Sequence, residues 1–321
     1  MKKKNNLLII GSNFGINHLK AAEYSKNFDK IAICSPNINK KKIKKKFIVF
    51  DSYETALKKF QSDLVCIATL PNIQDKIVKY IYKHRKDIKY LFLEKPVLKK
   101  TIIFLKNFLD KKIFFDVNFI FFFDKKWILY KKLISKNYDK ISNFNYKWLF
   151  KQKFFLNFKK TWKIRKSDGG GLIFNYLPHA IFNIYSIFPN IKFVGIKSKK
   201  YIKNLIIYLE LNFMLKQKIC TLVISNNSEQ NIHQLDSFLC NKKKYTLINS
   251  TKNWIRDFKI KRNNKEIFAR SFSNKNLDER VNVLSFFYKN INKYFSKDNI
   301  YKRNKLIYKT FETIQIISDK T

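Results

Sequence analysis

The spacing of apolar and polar residues changes near residue 118. Before that point, short apolar runs alternate with longer stretches in which apolar residues recur at helical spacing. This alternation is typical of βαβ units, whose parallel strands are buried on both faces. It predicts an α/β domain with a doubly wound parallel sheet over residues 1–118. The predicted strands are Leu7–Ile10, Lys30–Cys34, Leu64–Ala68, Tyr90–Leu93 and Ile113–Val117.

Local signals place helices between these strands. Ile77, Val78 and Ile81 recur at helical spacing within Ile73–His84, which predicts an amphipathic helix. Ser52 precedes another helix-like stretch, and we expect its hydroxyl to cap the first N–H groups of that helix.

The second part of the chain, residues 119–321, follows a different pattern. It opens with a helix-like stretch at Trp127–Ile134 and a strand-like run at Ile141–Phe150. Further helices are predicted at Ile173–Ile187, near Glu279–Tyr294 and near Tyr301–Ser318. Alternating runs between them predict a second α/β domain with an open, mainly antiparallel sheet. These runs are Ile191–Ile196, Asn204–Leu215, Lys218–Ser225 and Lys244–Ile248.

The chain carries a large positive charge, which at first suggests a nucleic-acid partner. Lys and Arg number 67 against 23 Asp and Glu, a net charge of +44. Lysine is far more abundant than arginine, although arginine's planar fork binds phosphates and bases better. The lysines are spread along the whole chain, as an AT-rich genome would produce. We therefore expect a solvated lysine-rich surface and no nucleic-acid partner, with a local anion site only in the run Lys40–Lys46.

The cysteines and the apolar runs bear on the kind of protein. Cys34, Cys66, Cys220 and Cys240 lie far apart, and none has the spacing of metal ligands. We expect no metal site and a reduced, cytoplasmic protein. No stretch offers about 18 uninterrupted apolar residues, which predicts no membrane helix.

Glycine is scarce, with 6 in the chain, and its positions mark two segments. The first is Gly11-Ser12-Asn13-Phe14-Gly15, between a predicted strand and a predicted helix, where backbone N–H groups can hold a pyrophosphate. Asn13 stands where the usual motif has its middle glycine, but asparagine tolerates left-handed backbone angles. The alternative interpretation is an ordinary strand-to-helix turn.

The second glycine segment precedes a histidine. Gly169, Gly170 and Gly171 stand in a row, followed by Asn175 and His179. In a continuous helix from Ile173, these last two residues would share one face. Together the two glycine segments suggest a nucleotide-cofactor enzyme whose active site lies between two domains.

Two side chains could move protons in such an enzyme. Lys95, in Glu94-Lys95-Pro96 after a predicted strand, could polarise a substrate oxygen, and Pro96 could follow a cis peptide bond. His179 could pass a proton to or from the same kind of oxygen. The alternative for each is a structural or surface role, which we also expect for His18, His84 and His233.

The residues after the second strand bear on the choice of cofactor. An NAD-binding domain usually has a carboxylate there for the ribose 2′-hydroxyl. This chain has Cys34-Ser35-Pro36-Asn37, followed by the lysine run. Ser35 and the lysines favour a 2′-phosphate, which predicts NADP(H) over NAD(H).

Taken together, these residues resemble the Gfo/Idh/MocA family of NAD(P)-dependent oxidoreductases. The matching segments occur in the family's order along most of the chain. They are Gly11–Gly15, Asp63–Thr69, Pro71-Asn72, Glu94-Lys95-Pro96 and Gly169–Gly171 with Asn175 and His179.

The resemblance implies a Rossmann domain followed by an α/β domain with an open antiparallel sheet, through which such proteins form homo-oligomers. It implies a sugar, nucleotide-sugar or related carbonyl substrate. The catalytic residues would be Lys95 and His179 together with Asn175. The substrate would contact Trp162, Arg165 and Tyr176, and the dinucleotide would be held by Gly11, Asn13, Phe14, Gly15, Ser35, Thr69, Pro71, Asn72, Glu94 and Lys95.

Three positions depart from the family's pattern. Asn175 stands where the family usually has the aspartate that partners the histidine, Gln74 where it often has histidine, and Phe182 where it has a second acid. An amide cannot carry the charge that stabilises an imidazolium, so reduction is favoured over oxidation. The departures also support an alternative function, a dinucleotide-binding protein of the same fold with reduced catalysis.

Overall fold

The chain is described with a computed structural model. The structure describes residues 5–40, 43–152, 162–165, 168–251, 257–268 and 277–321. Contacts within the chain divide it into two compact units. The first unit comprises Met1–Ile120 and Lys275–Tyr308, and the second comprises Phe121–Asn274 and Lys309–Thr321.

A six-stranded parallel sheet forms the centre of the first unit within the described residues. Its strand order is β3-β2-β1-β4-β5-β6, with the first strand in the middle. The inner strands are buried along nearly their whole length, as expected when both faces of a sheet are covered. The strands are β1 Asn5–Ile10, β2 Phe28–Cys34, β3 Ile48–Phe50, β4 Leu64–Ile67, β5 Tyr90–Leu93 and β6 Phe114–Val117.

The first unit's helices confirm the predicted βαβ pattern. Ser52 caps its helix as predicted, accepting a hydrogen bond from the backbone N–H of Thr55 at 3.3 Å. The predicted helix at Ile73–His84 is present and begins two residues earlier, at Pro71. The helices in sequence order are α1 Gly15–Ser25, α2 Tyr53–Lys59, α3 Pro71–His84 and α4 Lys99–Asp110.

The second unit contains an eight-stranded mixed sheet in the part of the chain that is described. Its order is β14-β13-β12-β11-β7-β10-β9-β8, and all neighbouring strands are antiparallel except β7 and β10. The prediction of a mainly antiparallel sheet is confirmed. The strands are β7 Ile141–Lys151, β8 Lys192–Ile202, β9 Leu205–Leu215, β10 Lys218–Ser225, β11 Asn227–Leu239, β12 Lys244–Asn249, β13 Lys259–Arg262 and β14 Lys265–Phe268.

The helices that follow the first unit's sheet complete the fold. They are α5 Ile120–Phe123, α6 Lys125–Lys136, α7 Gly171–Asn175, α8 Leu177–Ile187, α9 Glu279–Lys289, α10 Ile291–Tyr294 and α11 Lys297–Asp319. Short 3₁₀ helices occur at Tyr138–Lys140 and Trp162–Ile164.

The predicted division into residues 1–118 and 119–321 lies within two residues of the first boundary between the compact units, but it differs from them near the end of the chain. Residues 275–308 belong to the first unit, because side chains of α9 and α11 are tied to it. Tyr288 of α9 bonds to His18, and the guanidinium of Arg303 in α11 donates to the carboxylate of Asp116 in β6 at 2.7 Å. Both partners of the latter ion pair are buried.

The predicted continuous helix Ile173–Ile187 is wrong. The helix breaks at Tyr176, which has φ −117° and ψ −47° and separates α7 from α8. Pro178 explains the break, because proline lacks the N–H of a continuing helix and its ring clashes with the preceding turn.

None of the helices in the described ranges is both long and apolar enough to cross a membrane.

Candidate active site

The turn after β1 is shaped by a close backbone approach. Gly11 has φ 123°, and its N–H donates to the Cys34 carbonyl at 2.8 Å. A Cβ on Gly11 would lie 2.2 Å from the carbonyl oxygen of Ala68, so only glycine fits there. The positive φ angle of this turn lies at Gly11, and Asn13 does not adopt one. Asn13 is exposed on the turn, and Phe14 directly precedes α1, which begins at the buried Gly15.

The end of β2 is the predicted site for the adenosine ribose. Ser35 is buried, and its N–H donates to the Phe50 carbonyl at 3.0 Å. The lysine run that follows is already paired with carboxylates at three positions. The ammonium groups of Lys44 and Lys46 each lie 2.7 Å from Glu23, and that of Lys40 lies 2.8 Å from Asp51. Lys41 and Lys42, also in the predicted anion site, lie outside the described residues.

The segment after β4 leads into a helix N-terminus. Thr69 is half-buried, and Pro71 occupies the first turn of α3. Proline is favoured there because its missing N–H has no helical partner in any case. Asn72 is exposed on the same turn, at the predicted nicotinamide end of the site.

The Glu94-Lys95-Pro96 turn follows β5 and contains a cis peptide bond before Pro96, as predicted. The N–H of Glu94 donates to the Ile67 carbonyl at 2.9 Å, and its carbonyl accepts from the side-chain amide of Gln74 at 2.7 Å. The Glu94 carboxylate is buried and accepts from the side-chain amide of Asn118. Lys95, the next residue, is half-buried.

This edge of the sheet fits a dinucleotide. Turns and loops that follow β1, β4, β5 and β6 meet at the carboxyl ends of parallel strands, the usual ligand-binding edge of such sheets. Two acceptors support the fit. Gln74 Oε1 and Asn118 Oδ1 are buried beside the Glu94 turn and have no hydrogen-bond partner within the described part of the chain. Buried amide oxygens of this kind normally have a donor.

In the second unit, the glycine triplet forms a tight loop before α7. Gly169 and Gly171 have φ 76° and 80°, which side chains rarely adopt. Arg165 closes the loop, since its carbonyl accepts from the N–H of Gly170 at 2.9 Å and its guanidinium contacts Asp168 at 2.6 Å. Arg165, predicted to contact substrate, is thus paired within its own loop. Trp162 lies in a 3₁₀ helix, and its side chain lies outside the described residues.

Asn175 and His179 are both buried, on either side of the break at Tyr176. The His179 ring makes edge contacts with Phe121 and Trp148, at centroid distances of 5.6 and 6.3 Å. Phe121 and Trp148 are themselves buried, so His179 lies in an aromatic surround within the second unit.

Tyr176 lies beside these residues. Its hydroxyl accepts a hydrogen bond from the side-chain amide of Gln152 at 2.6 Å, and its ring packs on Phe150 and Trp148. Burial raises the pKa of the Tyr176 phenol above its ordinary value of 10, which keeps it protonated. A protonated phenol can donate to a substrate oxygen.

A second histidine lies nearby. His233 stacks on Trp148 at 4.6 Å and bonds through Nε2 to the hydroxyl of Tyr146 at 2.7 Å. The prediction gave His233 a structural or surface role, and its burial supports the structural one. In contrast, Phe182 packs on Phe122 in the apolar core.

Some of these residues were missed in the sequence. Asn118, Gln152, Tyr146 and Tyr288 carried no motif. A signal was available for Asn118, which directly follows the predicted strand Ile113–Val117 and so lies at the ligand-binding edge. Over the described ranges, no group of three or more His, Cys, Asp or Glu side chains is placed to hold a metal ion.

The chain resembles solved structures over nearly its whole length. A WlbA dehydrogenase from Chromobacterium violaceum, solved with NADH and UDP-GlcNAcA, is 12% identical with a TM-score of 0.74, covering 99% of this chain and 94% of that one. An oxidoreductase from Thermotoga maritima is 16% identical with a TM-score of 0.75, covering 97% and 96%. A myo-inositol 2-dehydrogenase from Lactobacillus plantarum is 15% identical with a TM-score of 0.69, covering 98% of each chain. At these identities the likeness shows the fold.

The sequence comparison is more specific for the first unit. Residues 5–103 match the model of the oxidoreductase family with an NAD-binding Rossmann fold, named GFO_IDH_MocA. No curated protein matches the sequence. The matched range contains the Gly11 turn and the Glu94-Lys95-Pro96 turn, which carried the resemblance. Residues 5–103 are therefore similar to the NAD-binding Rossmann domain of the Gfo/Idh/MocA oxidoreductases, in agreement with the resemblance seen in the sequence.

Proposed function

We propose that the protein is an NAD(P)-dependent oxidoreductase that acts on a sugar, a nucleotide-sugar or a related small carbonyl or hydroxyl compound. The observation that carries this proposal is the arrangement around Glu94-Lys95-Pro96. The half-buried Lys95 follows Glu94, whose backbone carbonyl accepts from Gln74 and whose carboxylate accepts from Asn118. This turn lies at the edge of a sheet where Gly11 allows a close backbone approach.

The residues have separable roles in this proposal. Gly11, Asn13, Phe14 and Gly15 would hold the pyrophosphate at the start of α1. Ser35 would contact the adenosine ribose, and Thr69, Pro71 and Asn72 the nicotinamide end. When bound, the dinucleotide supplies or accepts the hydride.

Lys95 would donate a hydrogen bond to the substrate oxygen whose carbon changes oxidation state. An ammonium stabilises negative charge that develops on that oxygen during reduction. His179 would hold or release a proton on the substrate side, with Asn175 and Tyr176 as hydrogen-bonding neighbours and Trp162 and Arg165 as substrate contacts. Without a carboxylate at position 175, reduction is the favoured direction.

The choice between NAD(H) and NADP(H) stays open in this proposal. Ser35 and the absence of a carboxylate directly after β2 favour NADP(H). The pairing of Lys40, Lys44 and Lys46 with carboxylates weakens that argument, because these lysines would have to leave Asp51 and Glu23. The similar solved structures give NADP(H) no support, since the dehydrogenase from Chromobacterium violaceum was solved with NADH.

A catalytically reduced dinucleotide-binding protein is the second candidate. Two observations favour it. Asn175 replaces the usual carboxylate, and Phe182, only 1% exposed, makes the position of the second acid part of the apolar core. Such a protein would bind the dinucleotide and turn nothing over.

The first experiment titrates the purified protein with NADH and, separately, NADPH, following nicotinamide fluorescence at physiological salt. Saturable micromolar binding supports both candidates and decides the cofactor. A screen of sugars, cyclitols and UDP-sugars then separates them, since turnover supports the oxidoreductase and binding alone supports the second candidate. No binding of either cofactor, reduced or oxidised, would rule out both.

We also propose that the second unit's sheet joins two copies of the chain. On β9, Leu209, Leu211 and Phe213 are buried, whereas Met214 is 39% exposed and lies opposite Ile219 of β10, which is 50% exposed. Exposed apolar pairs on a sheet face favour burial in an interface. Sedimentation should show a dimer for the wild type and a monomer for Ile219→Glu, and a wild-type monomer would contradict the proposal.

A further inference from the structure

His18 lies at the centre of a buried hydrogen-bond network in the first unit. Its side chain is fully buried in α1. Nδ1 lies 2.7 Å from the hydroxyl of Tyr288, which stands 270 residues later in the chain, and Nε2 lies 2.7 Å from Oε1 of Glu94. The His18 imidazole thus links three elements, which are α1, the Glu94-Lys95-Pro96 turn and α9.

Four hydrogen bonds hold Glu94, the residue directly before Lys95. The carboxylate oxygen that contacts His18 also accepts from the side-chain amide of Asn118. The carbonyl of Glu94 accepts from Gln74, and its N–H donates to Ile67. Because both the backbone and the carboxylate of Glu94 are held, the backbone of the adjacent Lys95 has little freedom to move.

We propose that His18 and Tyr288 are positioning residues of the active centre, which act through Glu94 to fix the place of the Lys95 side chain. This inference rests on the role proposed above for Lys95. It assigns His18 a role beyond the structural or surface role expected from the sequence. It also assigns Tyr288, and with it α9, a role in positioning Lys95.

The charges around His18 agree with this geometry. The groups that face it are Glu94 at the end of β5, the Cys66 thiol in β4 and the Tyr288 phenol in α9, together with aromatic rings. Burial opposes a charge on His18, but contacts with Cys66 and Glu94 outweigh it and raise its pKa to about 10. A protonated His18 donates from both ring nitrogens, so it pairs with the Glu94 carboxylate and binds the Tyr288 oxygen at once.

Removing one member should loosen the turn without unfolding the unit. Tyr288→Phe deletes only the hydroxyl and keeps the ring contacts with Phe28 and Phe287. His18 then lacks the partner that fixes its ring plane, and the buried Glu94 carboxylate is less well held. Tyr90→Phe is a matched control, because the Tyr90 ring stacks on Phe114 and packs on Phe295 in the same unit.

The test measures the reactivity of Lys95 directly. Wild type, Tyr288→Phe, His18→Gln and Tyr90→Phe are labelled with trace acetic anhydride at pH 8, and modification of the Lys95 peptide is quantified by mass spectrometry. We expect labelling to rise at least threefold in Tyr288→Phe and His18→Gln and to stay unchanged in Tyr90→Phe. If His18→Gln fails to fold, Tyr288→Phe carries the test alone.

Turnover gives a second readout once a substrate is found. We expect kcat to fall at least tenfold in Tyr288→Phe while the Kd for NADH changes less than threefold. Unchanged Lys95 labelling in a folded Tyr288→Phe variant would overturn the proposal and leave the network a purely structural role. A wild type that binds neither NADH nor NADPH would overturn the proposed function instead, whatever the labelling shows.

Discussion

Gly11 meets the backbone of Ala68 so closely that a methyl group on Gly11 would lie 2.2 Å from the Ala68 carbonyl oxygen. The approach brings the end of β1 against the end of β4 and leaves no room for a side chain at position 11. It is the tightest constraint on the proposed dinucleotide site.

Gly11→Ala should therefore disable this site. The substitution adds both the clash and the strain of φ 123°, and we expect a loss of at least about 3 kcal/mol in the free energy of unfolding. NADH and NADPH binding should be lost in parallel. Urea denaturation and fluorescence titration measure the two effects. Gly195→Ala is the control, because nothing lies within 4 Å of a Cβ there, and normal binding by Gly11→Ala would contradict the prediction.

Lys95→Ala should abolish turnover while leaving the cofactor bound. Loss of the proton donor should lower kcat by roughly 10²–10⁴-fold, with a Kd for the reduced cofactor within about threefold of wild type. The exposed Lys99, which begins α4, provides the control Lys99→Ala. Equal losses of turnover and cofactor binding would instead assign Lys95 a structural role.

Asn175→Asp should favour oxidation over reduction. A carboxylate at this buried position would stabilise an imidazolium at His179, which oxidation requires of its base. We expect the ratio of oxidation to reduction, each as kcat/KM on one substrate pair, to rise roughly tenfold, the effect of one pKa unit. The exposed Asn190→Asp serves as the control. An unchanged ratio would show that positions 175 and 179 are not coupled.

The protonation of His18 predicts a specific dependence of stability on pH. Its pKa is about 10 in the folded protein against an ordinary value of 6.5. The folded state therefore binds the proton more tightly, and the stabilisation is complete below pH 6.5 and is lost as the pH rises toward 10. The difference in unfolding free energy between wild type and His18→Gln should shrink by up to about 1.4 kcal/mol per pH unit in that window.

Urea denaturation at pH 6.5, 7.5 and 8.5 measures this difference. His84→Gln, which changes an exposed histidine at the end of α3, is measured beside it as the matched control. A difference for His18→Gln that stays constant from pH 6.5 to 8.5 would contradict the prediction.

The fold of the first unit could be predicted from the sequence because its strands are buried on both faces. Leu7–Ile10 and Leu64–Ala68 are continuous apolar runs, and the structure has strands at both. The short β3 was missed because it has only 3 residues and lies at the sheet edge. β11 was missed because Ile232 is the one apolar residue between Asn227 and Gln234, so this half of the strand shows no apolar alternation.

The candidate site was predictable where the backbone imposes a residue type. Gly11 and Pro96 were identified because the turns they occupy exclude most side chains. Asn118, Tyr288 and Gln152 were missed because their importance arises from partners distant in sequence, such as Glu94, His18 and Tyr176. The break at Tyr176 was missed because the helical spacing of apolar residues in Ile173–Ile187 was given more weight than the proline at position 178.

Because α9 and the first part of α11 belong to the first unit, that unit cannot be completed until late in synthesis. When residues 1–120 leave the ribosome, His18 and Asp116 have no Tyr288 or Arg303 to meet, since both come far later in the chain. The parallel sheet and its helices therefore lack these two side-chain partners until residues 121–303 have been translated. A fragment ending at residue 120 would never gain these partners, so we expect the parallel sheet to be less stable in that fragment than in the whole chain.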